Sequence, residues 1–106
     1  MNFLEETKSA IRESEHLIED IMFIGSNDGK YRMKWYEFDV KANFDYDNGF
    51  GWQEIPENLI IYFKDGTYIF RNEYDGSEWW ECIVKKPFKE NDSYITITNI
   101  KDLNKS

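Results

Sequence analysis

The residues whose spacing comes closest to a chemical site lie in the segment 43–58. Four oxygen-bearing residues match positions 1, 3, 5 and 12 of an EF-hand calcium loop: Asn43, Asp45, Asp47 and Glu54. However, Asn48 stands where that loop turns sharply on a glycine, and Pro56 follows where a helix would continue. We therefore predict no metal site and no cofactor. We interpret the segment as an acidic, glycine-rich surface loop that folds Phe50 or Trp52 back onto the core.

Residues able to carry catalysis are scarce. His16 is the single histidine, and its position in a helical pattern predicts a half-exposed surface side chain. Cys82, the single cysteine, is expected to be a small buried hydrophobe on a strand face with Trp80. Carboxylate pairs are unavoidable with 21 acids in 106 residues, so none of them indicates a glycosidase site. We predict that the chain is not an enzyme and has no catalytic residues.

Acidic and aromatic residues concentrate in the middle of the chain. Residues 45–81 contain nine acids and two bases, a net charge of −7 where the whole chain carries −8. Solubility and turn formation alone could account for these acids. The alternative is a contact surface, because aromatics dominate the energetic centres of interfaces and carboxylates steer basic partners. The predicted partner-binding residues are Asp45, Asp47, Trp52, Glu54, Glu57, Glu73, Asp75, Glu78 and Trp79.

Composition restricts the class of protein. A chain of 106 residues with 18% aromatics supports one folded domain over 1–106. No apolar run approaches the ~20 residues of a membrane span, and no signal peptide opens the sequence, so we expect a cytoplasmic protein. Lys30, Arg32 and Lys34 alternate with aromatics, as in some single-strand binders, although a solvated strand face is the ordinary interpretation. The overall acidity argues against direct nucleic-acid binding.

One amphipathic helix is predicted over about residues 3–18. Its apolar stripe recurs at three- and four-residue steps: Phe3, Leu4, Thr7, Ile11, Ser14, Leu17, Ile18 and Ile21. Asn2 is the predicted N-cap, with Glu5 three residues later as in a capping box.

A sheet is predicted over about residues 20–100, where the pattern changes to a period of two. We expect strands at 21–24, 30–44 (with either a β-bulge near Trp35 or two apolar faces), 58–64, 67–74, 77–86 and 93–100. The pairs Asp65-Gly66 and Asp75-Gly76 predict two hairpin turns. The predicted fold is α+β, with the helix packed on a five- to six-stranded antiparallel meander sheet and a short loose tail over 101–106.

We interpret the chain as a non-catalytic inhibitor whose acidic, aromatic-rich surface blocks a basic, nucleic-acid-binding groove of a protein partner. Its size, charge and acidic segment from Asp45 to Glu81 resemble the small acidic proteins of phages and mobile elements that block host nucleases, such as anti-CRISPR proteins. The resemblance implies a CRISPR effector or other nuclease as the partner. Immunity proteins against bacterial toxins are similar for the same physical reason. A structural subunit that forms homo-oligomers, such as a homodimer, through an edge strand is the alternative.

Overall fold

The fold combines two helices with one sheet in the computed structural model, which describes residues 1–46, 55–74, 77–83 and 88–105. The helices are α1 (Phe3–Glu13) and α2 (Trp35–Lys41), and short 3-10 helices cover Ile18–Asp20 and Ile100–Lys105. The strands are β1 (Ile21–Ser26), β2 (Tyr31–Met33), β3 (Leu59–Phe63), β4 (Tyr68–Tyr74), β5 (Ser77–Ile83) and β6 (Ile95–Thr96). These elements confirm the α+β class. No helix in the described ranges is long and apolar enough to span a bilayer.

The start of α1 follows the sequence signal. The Asn2 side-chain oxygen accepts the Glu5 backbone N–H at 3.0 Å, which confirms the predicted cap. One stripe of the helix is buried against the sheet: Phe3, Leu4, Thr7 and Ile11.

The end of α1 comes earlier than the predicted residue 18. The helix stops at Glu13 because Glu15 takes up a left-handed conformation, with φ of 64°. The His16 N–H then donates to the Ile11 carbonyl, which is the closing bond of a Schellman motif. Leu17, which fitted the helical period, lies beyond this stop and is 61% exposed.

The segment 30–44 contains a helix where we predicted one long strand. Only β2 is extended, and α2 begins at Trp35 with the Glu37 carboxylate accepting the Lys34 backbone N–H at 2.9 Å. The prediction of a β-bulge near Trp35 is therefore wrong, since the change of apolar parity there marks the start of a helix. The core-facing residues of this helix and its end are spaced by three and four: Trp35, Phe38 and Ala42.

The sheet is mixed, and its strands are ordered β5-β4-β3-β1-β2-β6 within the described residues. The β3–β4 and β4–β5 antiparallel pairs are confirmed. In the first turn the Gly66 N–H donates to the Phe63 carbonyl at 3.0 Å, so Lys64 and Asp65 are the central residues, and Gly66 follows them with a left-handed φ of 91°. The Asp75-Gly76 turn lies outside the described residues. The antiparallel meander prediction is wrong, because β3 pairs with β1 and β6 joins β2 in parallel.

The C-terminal segment differs from its prediction in two ways. The strand expected over 93–100 is reduced to the two residues of β6. The tail expected to be loose contains a 3-10 helix, and its Ile100 and Leu103 are 2% and 3% exposed. Burying two aliphatic side chains stabilises a terminal segment that charge alone would leave in water.

Both faces of the sheet carry buried side chains. Leu59, Ile61 and Phe63 of β3 belong to the core under the helices, whereas Ile60 and Tyr62 belong to a smaller cluster on the other face.

Arg32 anchors that smaller cluster, and it is 3% exposed, so it does not lie on the solvated strand face expected for the basic row. Its guanidinium carbon lies 4.2 Å from the centroid of the Phe23 ring, and its Nη1 donates to the Lys89 carbonyl at 2.8 Å.

A substitution at Gly25 would test how closely β1 and β2 approach each other. A Cβ at this position would overlap the backbone carbonyl oxygen of Tyr31. We expect Gly25→Ala to lower the free energy of unfolding by about 1–3 kcal/mol, because backbone cannot move aside as a side chain can. The measurement is urea unfolding. Val40→Ala is the control: Val40 is 77% exposed, so the change is expected within about 0.5 kcal/mol. Equal stability of the two variants would contradict the close approach.

Candidate functional site

A buried arginine lies on the sheet face that carries α1. Arg71 of β4 is 3% exposed. Its Nη1 lies 3.1 Å from Glu6 Oε2 and its Nη2 lies 3.8 Å from Glu78 Oε1. Nη2 also donates to the Tyr46 hydroxyl at 3.0 Å. A buried cation is stable only when its charge and hydrogen bonds are matched, so this Arg71 cluster (Arg71, Glu6, Glu78 and Tyr46) joins α1, β4, β5 and the chain after α2.

Tyr46 is held in this cluster as a neutral group. Burial raises the pKa of its hydroxyl above the ordinary value, and its hydrogen bond to Glu6 raises that pKa further. The hydroxyl therefore stays protonated at neutral pH and donates to Glu6 Oε1 while it accepts from Arg71.

Glu78 differs most from its prediction as a surface residue. It is 2% exposed, and its Oε1 accepts the Ile55 backbone N–H at 3.0 Å. Glu78 and Trp80 are two residues apart on β5 and so share the face that packs under α1. The Glu78 carboxylate lies in the interior, where it neutralises Arg71, and it does not contribute to an exposed acidic surface.

The remaining predicted partner-binding residues that the structure describes lie on different segments of the chain. Four other predicted residues lie outside the described residues: Asp47, Trp52, Glu54 and Asp75. Asp45 is exposed and its backbone bridges Asn2, and Glu57 is exposed before β3. Glu73 is half-buried and directly opposite Glu78 in the β4–β5 register. Among these described residues, Trp79 lines a groove beside α1.

A groove runs between α1 and β5, and we call it the indole groove. It has a volume of about 340 Å³ and is lined by Met1, Glu5, Glu6, Ser9, Ala10, Glu13, Trp79 and Trp80. A second recess of about 220 Å³ shares three of these residues and adds Ser14 after α1, Ile69 of β4 and Glu81 of β5. The two recesses together follow the whole length of α1 that faces β5.

The two indoles of this groove are held in place by hydrogen bonds. Trp80 Nε1 donates to Thr7 Oγ1 at 3.0 Å, and the Trp80 ring stacks on Phe3 with 5.9 Å between centroids. Trp79 Nε1 donates to Glu81 Oε1 at 2.9 Å. Trp80 thus packs against the core, and Trp79 is half-buried on the opposite strand face.

Negative charge dominates the indole groove. Three of its lining residues are glutamates, and no Lys or Arg side chain lines it in the part of the chain that the structure describes. Two cations lie at its rim: Lys8 Nζ is 3.8 Å from Glu5 Oε1, and Arg12 Nη2 donates to Ser9 Oγ at 3.1 Å. Arg71 lies behind the groove, where its Nη1 pairs with Glu6 Oε2 at 3.1 Å. An apolar floor with carboxylates along one wall fits a cationic side chain.

None of the partner-binding residues predicted from the sequence lies on α1. A signal was present, because Glu6, Ala10 and Glu13 follow each other at i, i+4 and i+7, immediately beside the apolar stripe. Residues in such a row face the element that packs beside the helix. The identity of that neighbour, β5, comes from the tertiary structure.

Asn43, the first residue of the calcium-like spacing, and His16 both make structural contacts. Asn43 Oδ1, which would begin a calcium loop, accepts the side-chain N–H of Asn2 at 3.0 Å. No group of three potential metal ligands occurs among the described residues. His16 follows α1 instead of lying on it, and its ring stacks on Phe63 with 3.8 Å between centroids.

Asp65 completes the contacts of His16. Its Oδ2 lies 3.0 Å from His16 Nε2, and its Oδ1 accepts both the hydroxyl and the backbone N–H of Thr67. These hydrogen bonds, those from Thr67 before that from His16, hold the pKa of the Asp65 carboxyl well below its ordinary value.

We predict a pH-dependent effect of Asp65→Asn. The lowered pKa of Asp65 stabilises the folded chain at pH values above the unfolded pKa of about 3.9, and this contribution is lost as pH falls further. At pH 7 the free energy of unfolding of the wild type should exceed that of the variant by at most about 1 kcal/mol, since Asp65 is exposed. This difference should shrink below about pH 4. Urea unfolding at pH 3, 5 and 7 measures it, with Asp39→Asn as the control. A difference independent of pH would contradict the assignment.

We predict that Glu78→Lys destabilises the chain strongly. The variant would place a second cation beside Arg71 in the interior, which should cost about 3–5 kcal/mol in the free energy of unfolding. Glu57→Lys makes the same charge change at an exposed site, where the effect should stay within about 0.5 kcal/mol. Thermal and urea unfolding distinguish the two variants, and a Glu78→Lys protein as stable as Glu57→Lys would place Glu78 at the surface.

Comparison with known proteins adds no relative. No protein-family model, curated protein or solved structure matches this chain.

Proposed function

We propose that this chain is a non-catalytic inhibitor that binds a basic protein partner through an acidic, aromatic-rich surface and blocks that partner's nucleic-acid-binding groove. The observation that supports it is the indole groove, where three glutamates and two indoles meet and no Lys or Arg side chain is among the described lining residues. A partner with exposed Lys or Arg side chains complements this surface in both charge and shape.

The placement of the carboxylates on regular elements supports the same proposal. Glu5 and Glu13 project from one helix, and Glu81 from the neighbouring strand. A rigid array of carboxylates can replace phosphates without ordering a flexible chain first, which reduces the entropic cost of binding. The net charge of −8 speeds encounter with a basic partner at low salt.

The class of partner that we propose is a nuclease or a nucleic-acid-binding complex, such as a CRISPR effector, acting with this chain in the cytoplasm. Small acidic inhibitors of phages and mobile elements resemble this chain in size and charge. The same proposal includes an immunity protein, in which case the basic partner would be a bacterial toxin.

A structural subunit is the second candidate, and the sheet edges favour it. β5 and β6 are the outer strands of the sheet within the described residues. Tyr94, just before β6, and Ile95, in β6, are 44% and 49% exposed. Exposed edges with apolar side chains can pair with a second copy of the chain.

The test begins by capturing partners from a host lysate on the immobilised chain at about 50 mM salt, and continues with the purified partner. We expect a basic protein whose nucleic-acid binding, measured by gel mobility shift, is lost when this chain is added. Raising the salt to about 300 mM should weaken capture at least about tenfold.

Charge reversal locates the surface in the same assay. Glu13→Lys with Glu81→Lys should weaken capture at least about tenfold, because both carboxylates are exposed and line the recesses between α1 and β5. Glu19→Lys with Asp39→Lys changes the charge equally, away from β5, and should have the smaller effect. A partner that keeps its nucleic acid bound would refute the inhibitor, and a dimer insensitive to salt would favour the structural subunit.

A further inference from the structure

The distance between the carboxylates at the two ends of the indole groove restricts which ligand can contact both of them. Glu5 and Glu13 are eight residues apart on α1, which places their backbone positions about 12 Å apart along the helix axis. Glu6 lies beside the first of them, and Glu81 of β5 joins the second in the adjoining recess. The groove thus has carboxylates towards each end and an apolar stretch between them.

The apolar stretch is suited to aliphatic stems. Ala10 and the Trp80 indole line it from the face under α1, Trp79 adjoins it on the outer strand β5, and the hydrogen bond from Trp80 to Thr7 keeps the Trp80 indole from turning away. Lys and Arg side chains bury their methylene stems on such surfaces while their charged heads reach carboxylates, and a cation near an indole gains a further electrostatic attraction. A phosphate group would be repelled at both ends, which excludes nucleic acid as the occupant.

An extended protein segment matches the length. Residues i and i+4 of an extended chain point to the same side and lie about 13 Å apart, close to the separation of the two acidic ends. Adjacent residues of an extended chain point to opposite sides, so only one of them can enter the groove. Two cations at i and i+4 can therefore contact both ends at once.

We propose that the indole groove binds an extended segment of a protein partner that carries two Arg or Lys side chains at positions i and i+4, one at each acidic end. This inference deepens the proposed function and rests on it for the identity of the partner as a basic protein. The groove's preference for the spacing is a property of this chain alone and can be measured with synthetic peptides.

The experiment compares two peptides of identical composition, one with arginines at i and i+4 and one with adjacent arginines, at about 50 mM salt. Titration calorimetry gives the affinities, and NMR of the indole N–H signals reports the site. We expect the spaced peptide to bind at least about fivefold more tightly, since it gains a second ion pair with a fixed indole beside it. It should shift the signals of Trp79 and Trp80 and leave that of Trp35 unchanged.

Charge-removing variants identify the two ends. Glu5→Gln with Glu13→Gln should remove the preference for the spaced peptide and weaken its binding at least about fivefold. The matched control, Glu19→Gln with Asp39→Asn, removes the same number of exposed carboxylates elsewhere and should change affinity less than about twofold. Equal affinities for the two peptides, or equal effects of the two double variants, would overturn the inference.

The outcomes separate this inference from the proposed function. If the chain displaces nucleic acid from a basic partner and Glu5→Gln with Glu13→Gln leaves that competition unchanged, the groove inference fails and the inhibitor stands. If the spaced peptide binds as expected and the basic partner keeps its nucleic acid, the groove inference stands and the inhibitor fails.

Discussion

The ion pairs of Arg71 connect the parts of this structure that matter most for binding. The guanidinium contacts Glu6 of α1 and Glu78 of β5, and its carbon lies 5.0 Å from the centroid of the Trp80 ring. Because Glu6 and Trp80 also line the indole groove, one buried cation positions both walls of that groove from behind. Glu6 reaches Arg71 from the helix and Glu78 reaches it from the strand, so the register of α1 on β5 is tied to electrostatics as well as to packing.

Charge in this chain divides into an interior set and a surface set. Arg32 and Arg71 are each 3% exposed, one on either face of the sheet, and each lies against aromatic rings. Glu78 is interior as well, so the count of acids in residues 45–81 overstates the acidity of that surface. The exposed acids of α1, which lie outside that count, border the groove that Trp79 and Trp80 also line.

Local sequence patterns predicted much of the fold, but they failed where a strand-like alternation runs into a helix. The cap at Asn2 and the hairpin turn at Asp65-Gly66 are determined by neighbouring residues, and both were predicted correctly. The helix α2 was missed because an alternation of aromatic and charged residues runs from β2 into it, and a seven-residue helix offers few periods to recognise. The parallel partner of β2 lies more than sixty residues away, where no local signal reaches.

The sequence by itself determined the α+β class, the start of α1, the hairpins of β3 to β5 and an excess of acids, since each depends on composition or on residues close in the chain. Only the tertiary structure decided which acids are available to a partner. Glu78 and Glu81 are three residues apart on one strand, yet the first neutralises Arg71 in the interior and the second lies exposed at the end of the groove. Strand alternation separates their faces, but which face is covered depends on where α1 packs.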